Sequence, residues 1–272
     1  MREPPPLRLR PRKSLGQNFL RDPNIARKIV AAVAPRSDDV MVEIGPGEGA
    51  LTKYLAPKVQ KLVTVEIDQR ATERLHVMFP EEELEILNED FLEIDLAEIA
   101  RRRNRSLRIV GNIPYNITTP ILFHILDHRN ALVDATLMVQ KEVARRIVAL
   151  PNTKDYGILS VFSQLLADAK LLFDVSPNAF FPKPKVTSSV VHLVMRKRPR
   201  YALDDEQFFR RMVRSIFGKR RKTLRNSLLY FVEGEKIPMP DPSRVGDLRR
   251  RPENLTIEEL VQLSNFLSPA GA

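Results

Sequence analysis

Asn112, Ile113, Pro114 and Tyr115 follow an apolar run, Leu107, Ile109 and Val110, that reads as a strand entering a sheet. Proline fixes φ and lacks an N–H, and the residue before it is driven out of the helical region. The backbone here is therefore stiff, and its carbonyls cannot join a helix ladder. Asn112 adds an acceptor oxygen on a short side chain, and Tyr115 a flat ring with a polar tip. Acceptors facing one point beside an aromatic face suit a planar group with an amino substituent, such as an exocyclic base amine. A strand-to-helix turn with an Asn cap and a packed Tyr is the plainer alternative.

A second constellation lies upstream. Glu43-Ile44-Gly45-Pro46-Gly47-Glu48-Gly49 ends one apolar run and opens a helical pattern, and Glu66 lies 21 positions after Gly45. Glycines permit tight turning and close ligand approach, and an acid at the second strand end takes ribose hydroxyls. Gly45 to Ala50 also satisfies the dinucleotide pattern G-x-G-x-x-A, so an NAD-linked reductase is a rival reading. Glu48, within the loop, would repel a pyrophosphate but not a cationic ligand. Asp90 adds an acceptor for an adenine amine. S-adenosylmethionine, an adenosine with a cationic sulfonium and no phosphates, matches both features.

These residues need a scaffold that brings strand ends together. From residue 40 the chain alternates apolar runs with amphipathic segments, the pattern of a doubly wound α/β sheet. Strands are predicted near 40–44, 61–66, 84–88, 107–111, 134–140, 170–175 and 188–195. Helices are predicted at roughly 49–57, 69–79, 95–102, 118–127, 141–149 and 156–167. Asp22-Pro23 opens an earlier helix, with Ile25, Ile29, Val30 and Val33 as its stripe. The last two strands are joined by Ser176 to Lys185 with no helix between, which predicts an antiparallel final strand. Beyond Arg196-Lys197-Arg198-Pro199-Arg200 only helices are read, about 204–217, 219–231 and 256–267. The domains expected are a basic flexible arm over 1–13, a catalytic domain over 14–198 and a helical RNA-binding domain over 199–272.

Composition narrows the partner. The formal net charge of +10 favours a polyanion, with nucleic acid ahead of membrane. Cysteine is absent and the four histidines are scattered, so neither a disulfide framework nor a metal site is expected. His124 and His128 share a helix face, but as a surface or partly packed pair. No apolar run approaches the ~18 residues of a membrane span, and a soluble, cytoplasmic protein is expected.

The Gly-rich loop with Glu66 and Asp90, the Asn112–Tyr115 motif and Gly16-Gln17-Asn18-Phe19-Leu20 together resemble the ribosomal RNA adenine N6,N6-dimethyltransferases of the bacterial kasugamycin-resistance type. The likeness continues through Phe180-Phe181-Pro182-Lys183-Pro184-Lys185-Val186, with Lys183 where many members have proline, and through Phe217 to Asn226. It implies a Rossmann-like S-adenosylmethionine-dependent methyltransferase with a mostly parallel seven-stranded sheet, its last strand antiparallel, and a small all-helical C-terminal domain. It also implies that Asn18, Leu20, Gly45, Glu66, Asp90 and Asn112 line the cofactor site; Gly47 joins them from the loop reading. The implied substrate is two adjacent adenosines near the 3′ end of small-subunit ribosomal RNA, each methylated twice, with a pre-assembled subunit and a monomeric enzyme expected. Large-subunit dimethylation of the erythromycin-resistance type, and a non-catalytic RNA-binding assembly factor, stand as alternatives.

The expected chemistry places Asn112 Oδ1 and a carbonyl near Ile113 or Pro114 on the two N–H bonds of the adenine amine. Tyr115 and Phe180 are expected to form the two faces of a slot for the extruded base. Eight basic residues and no acid lie between Arg210 and Arg225, and Arg220, Arg221, Lys222 and Arg225 are assigned to RNA phosphates. Arg249 to Arg251 make a second cluster. Arg101 to Arg105 make a third, read as a solvated face.

Overall fold

The computed structural model describes residues 9–80, 84–219 and 221–268. In chain order its elements are β1 (Phe19–Leu20), α1 (Pro23–Val33), β2 (Val40–Ile44), α2 (Thr52–Leu55), β3 (Lys61–Val65), α3 (Gln69–Met78) and β4 (Leu84–Leu87). There follow α4 (Leu96–Arg103), β5 (Leu107–Asn112), α5 (Thr118–Asp127), β6 (Leu132–Gln140), α6 (Lys141–Ile147), α7 (Ile158–Leu166) and β7 (Ala167–Val175). The chain ends with β8 (Phe180–Phe181), β9 (Ser188–Met195), α8 (Glu206–Gly218), α9 (Leu224–Glu235), α10 (Pro242–Val245) and α11 (Ile257–Leu267).

Seven strands form one sheet in the order β4-β3-β2-β5-β6-β9-β7. The pairs β3–β4, β2–β3, β2–β5 and β5–β6 are parallel, and β9 runs antiparallel to β6. Every residue of β2 is buried, as a central parallel strand covered on both faces requires. Strand order reverses between β2 and β5, so a crevice opens at their carboxyl ends, the usual ligand position in such sheets. Gly111 sits opposite Ile44 where those strands meet. A Cβ there would lie 2.9 Å from the Ile44 carbonyl oxygen, so only glycine lets β5 end so close to β2.

Contacts divide the chain into two compact units: residues up to Ala144 with Ala169–Met195, and Arg145–Asp168 with the residues from Arg196 on. The expected boundary at 198 is thus corrected, because α7 belongs with the C-terminal helices. Phe162 of α7 meets Phe209 of α8 edge-to-face at 5.8 Å, and the Arg210 guanidinium lies 5.4 Å from the Phe162 ring centre. No described helix is long and apolar enough to cross a membrane.

Two helices differ from expectation at their starts. Pro46 to Leu51 is a turn, closed by Gly49 N–H to the Pro46 carbonyl at 2.9 Å, and α2 begins only at Thr52. Thr223 caps α9 by accepting from Asn226 N–H, so residues 221–223 precede that helix rather than forming its first turn.

Candidate active site

A cavity of about 230 Å³ occupies the crevice, and its wall is assembled from four successive strand ends. Gly45 and Gly47 follow β2, Glu66 follows β3, Asp90 follows β4, and Asn112 closes β5. Asn18 and Phe19, around the start of β1, complete the enclosure. Gly45 and Gly47 have φ near +60 and +56, which glycine adopts freely, and the Cβ direction of Gly45 is open.

Glu66 is only 6% exposed. Its Oε2 accepts the Gly47 N–H at 3.1 Å and its Oε1 the Asp68 N–H at 2.9 Å, which lock the carboxylate in place. Burial pushes its pKa up, and these two N–H groups oppose that push. Asp90 also faces the cavity, with Oδ1 taken by the Leu92 N–H at 2.9 Å.

The Asn112 amide is fixed from one side. Its Nδ2 donates to the Asn18 carbonyl at 2.8 Å, so Oδ1 is left as the acceptor, and no donor among the described residues reaches it. The Pro114 carbonyl accepts from Ile117 N–H at 3.2 Å and Thr118 Oγ1 at 3.1 Å, which uses both lone pairs. Of the two carbonyls expected to serve an amine, that of Ile113 is therefore the one that retains capacity. Tyr115 lines the cavity, its hydroxyl in a 2.7 Å hydrogen bond with Ser188 Oγ, and burial raises its pKa.

Two expected site residues are corrected. Leu20 and Phe180 are both 5% exposed, lie in the same buried apolar cluster, and face each other across the β1–β8 pair. Neither side chain lines the cavity, because alternation along a strand turns it to the core face. Glu48 likewise is absent from the lining: it accepts the Leu9 N–H at 3.1 Å and lies 3.7 Å from Arg21. Among the described residues, the acids that line the cavity are Glu66, Glu89 and Asp90, and no Lys or Arg lines it.

The structure adds residues that sequence reasoning missed. Asp68 accepts from Arg70 Nε at 2.9 Å and Gln17 Nε2 at 2.9 Å, and Gln17 Oε1 in turn accepts the Arg12 N–H at 2.9 Å. Arg70 Nη1 also donates to the Arg10 carbonyl at 3.2 Å. Arg70, then Gln17, holds the Asp68 pKa down to about 2. Residues 9–13 are thereby fastened beside the cavity, which corrects that part of the flexible arm; residues 1–8 lie outside the described ones. The only sequence signal was Asp68 as the cap of α3. Glu43, 2% exposed, accepts from Thr52 Oγ1 at 2.7 Å and ties the end of β2 to α2 beneath the loop. His124 and His128 donate to the Ile94 and His124 carbonyls, each at 2.9 Å, as a packed pair would.

The comparisons with known proteins give the family. The family model described as ribosomal RNA adenine dimethylase matches residues 8–268. This chain belongs to that family. A protein of Aromatoleum aromaticum named ribosomal RNA small subunit methyltransferase A is 44% identical over 261 residues, covering 95% of this chain and 95% of that protein. Its namesake in Francisella tularensis subsp. tularensis is 42% identical over 94% of this chain and 97% of its own length. Among solved structures, a dimethyladenosine transferase from Plasmodium falciparum is 25% identical with a TM-score of 0.74, over 90% of this chain and 95% of that one. The 23S rRNA methyltransferase ErmE is 27% identical with a TM-score of 0.65, over 92% and 99%.

The basic clusters of the chain stand in different settings. In the second unit, Leu224 N–H donates to the Arg250 carbonyl at 2.6 Å and Arg225 N–H to the Leu248 carbonyl at 3.0 Å. These bonds bring the Arg249–Arg251 segment beside exposed Arg221, Lys222 and Arg225, so two clusters become one surface. Arg221 and Lys222 stand in a turn ahead of α9, not on a helical face as expected; Arg220 lies outside the described residues. In the first unit, Arg101 and Arg102 pair with Glu98, Arg103 with Glu85, and Arg105 with Asp38. Those pairs fit a solvated face.

Proposed function

We propose that this chain is an S-adenosylmethionine-dependent ribosomal RNA adenine N6,N6-dimethyltransferase that methylates two adjacent adenosines near the 3′ end of small-subunit RNA. The observation that carries the reading is the Asn112 amide, turned by its bond to the Asn18 carbonyl so that Oδ1 remains an acceptor on the cavity wall. A turn cap or a pure RNA-binding module has no need of such an arrangement. The small-subunit names of relatives at 42–44% identity favour that substrate over large-subunit RNA, for which the likeness is to ErmE at 27%.

The cavity's chemistry fits the cofactor. A lining that among the described residues holds three acids and no Lys or Arg suits a cationic, phosphate-free nucleoside and disfavours the pyrophosphate of a dinucleotide. Glu66 would take the ribose hydroxyls, Asp90 Oδ2 the adenine amine, and the Gly45–Gly47 backbone would leave room for close approach. When bound, the cofactor supplies an electrophilic methyl on a cationic sulfur.

An adenine amine is a poor nucleophile because its lone pair is delocalised into the ring. Asn112 Oδ1 and the Ile113 carbonyl accept its two N–H bonds, favour a pyramidal nitrogen and direct the lone pair. Tyr115 supplies one face for the extruded base. Positioning provides most of the acceleration, and the product proton leaves to water. Arg221, Lys222 and Arg225, with Arg249 and Arg251, take RNA phosphates. The enzyme acts as a monomer, without metal, on a pre-assembled subunit in the cytoplasm.

The test is incubation of the protein with labelled S-adenosylmethionine and unmodified small subunits, then mapping of the methylated nucleotides. Label at two adjacent adenosines, up to two methyl groups each, is expected. No incorporation, or incorporation only into large-subunit RNA, refutes the reading.

A further inference from the structure

We infer that Phe181 and Arg21 form a stacking platform for the RNA nucleotide that flanks the target adenosine, an inference that rests on the function proposed above. β1 and β8 pair antiparallel, Phe19 opposite Phe181 and Leu20 opposite Phe180. Residues directly opposite share a face of such a ribbon, and neighbours along a strand face opposite ways. Leu20 and Phe180 therefore face the core together. Phe19 and Phe181 share the other face, and Phe19 lines the cavity. Phe19 is packed so tightly there that a Cβ on Gly47 would come within 2.9 Å of its ring.

Phe181 itself is not in the cavity wall. The residue is 46% exposed, one strand beyond Phe19, and the Arg21 guanidinium lies 4.1 Å from its ring centroid. Arg21 is anchored by its own N–H to the Ala179 carbonyl at 2.8 Å and lies 3.7 Å from Glu48. Among the described residues no hydrogen bond occupies its terminal nitrogens. Exposed Lys183 and Lys185 follow on the same segment. An exposed ring with a stacked guanidinium and two lysines is the chemistry that holds an unpaired nucleotide: base on the planar groups, phosphate on the cations. The target amine must reach Asn112 inside the cavity, so a ring outside that wall serves the neighbouring nucleotide. The role differs from the slot wall expected of Phe180, and alternation along β8 is the reason.

The test compares the parent with Phe181→Ala and Phe181→Tyr in methylation of unmodified small subunits, with calorimetry for S-adenosylmethionine and circular dichroism for folding. Phe181 is half exposed, so both variants are expected to fold. Phe181→Ala should raise KM for subunits roughly 5- to 150-fold, the range for a lost base stack. Its kcat and cofactor affinity should stay within about twofold of the parent, and Phe181→Tyr should restore KM because it keeps the ring. An unchanged KM in Phe181→Ala, or a Tyr variant as defective as the Ala one, overturns the platform. A fall in kcat alone assigns Phe181 to the reacting base, and weakened cofactor binding assigns it to the cavity; each overturns the flanking role. A parent that transfers no methyl overturns the proposed function and this inference with it.

Discussion

Glu43→Gln should make the protein's stability less sensitive to a rise in pH from 5 to neutrality. Glu43 is 2% exposed on β2, and its recorded partner is the Thr52 hydroxyl at 2.7 Å. Burial, aided by the nearby Glu66 charge and opposed by Thr52, raises its pKa from 4.5 to about 7. Below 4.5 the carboxyl is protonated in both folded and unfolded chains and costs nothing. As pH rises toward 7 the unfolded chain ionises freely while the folded one resists, so stability falls across that window. The gap between the two values, at ~1.4 kcal/mol per pH unit, amounts to about 3 kcal/mol once the pH exceeds 7. Gln keeps an acceptor for Thr52 and carries no charge, but buries an extra NH₂ whose cost does not depend on pH. The informative quantity is therefore the parent–variant difference at two pH values. The chain has no tryptophan, so urea unfolding is followed by far-ultraviolet circular dichroism at pH 5 and pH 8.5. The difference should shift in favour of the variant by about 2–3 kcal/mol between them. A difference that is the same at both pH values refutes the raised pKa of Glu43.

Three further outcomes are expected. Glu66→Ala should weaken S-adenosylmethionine binding by ~1.5–3 kcal/mol for each ribose hydrogen bond lost, with RNA affinity unchanged; calorimetry on the folded variant decides it. Tyr115→Phe keeps the ring but breaks the bond to buried Ser188, so single-turnover methylation should fall modestly, by ~0.5–1.5 kcal/mol in barrier, against a much larger loss for Tyr115→Ala. If Tyr115→Phe and Ser188→Ala prove additive in a double-mutant cycle, that hydrogen bond does not position the ring. Replacing Arg221, Lys222 and Arg225 by Gln should weaken subunit binding and lower the salt slope by roughly one phosphate contact per residue; an unaltered slope returns these side chains to solvent.

Most of the architecture was legible because it follows from local rules. Alternating apolar runs located all seven strands of the main sheet, and the helix-free connection from Ser176 to Lys185 correctly signalled the antiparallel β9. Glycine positions and the spacing to Glu66 and Asp90 pointed to residues that line one cavity, because a doubly wound sheet necessarily brings those strand ends to one crevice. Tertiary structure alone decided what depends on contacts remote in sequence. The Asn112 amide is oriented by Asn18, 94 residues away, and no local pattern encodes which end of an amide is free. The facing of Phe180 and Phe181 depends on a two-residue strand pair, too short for periodicity to reveal, yet a register of one residue sends one ring to the core and the other outward. The fastening of residues 9–13 rests on Asp68 and Arg70, whose partners lie more than fifty positions upstream. The membership of α7 in the second unit is a packing choice of Phe162 and Phe209. A boundary drawn along the chain cannot show a segment folding out of order, because burial is settled among surfaces and not among neighbours in sequence.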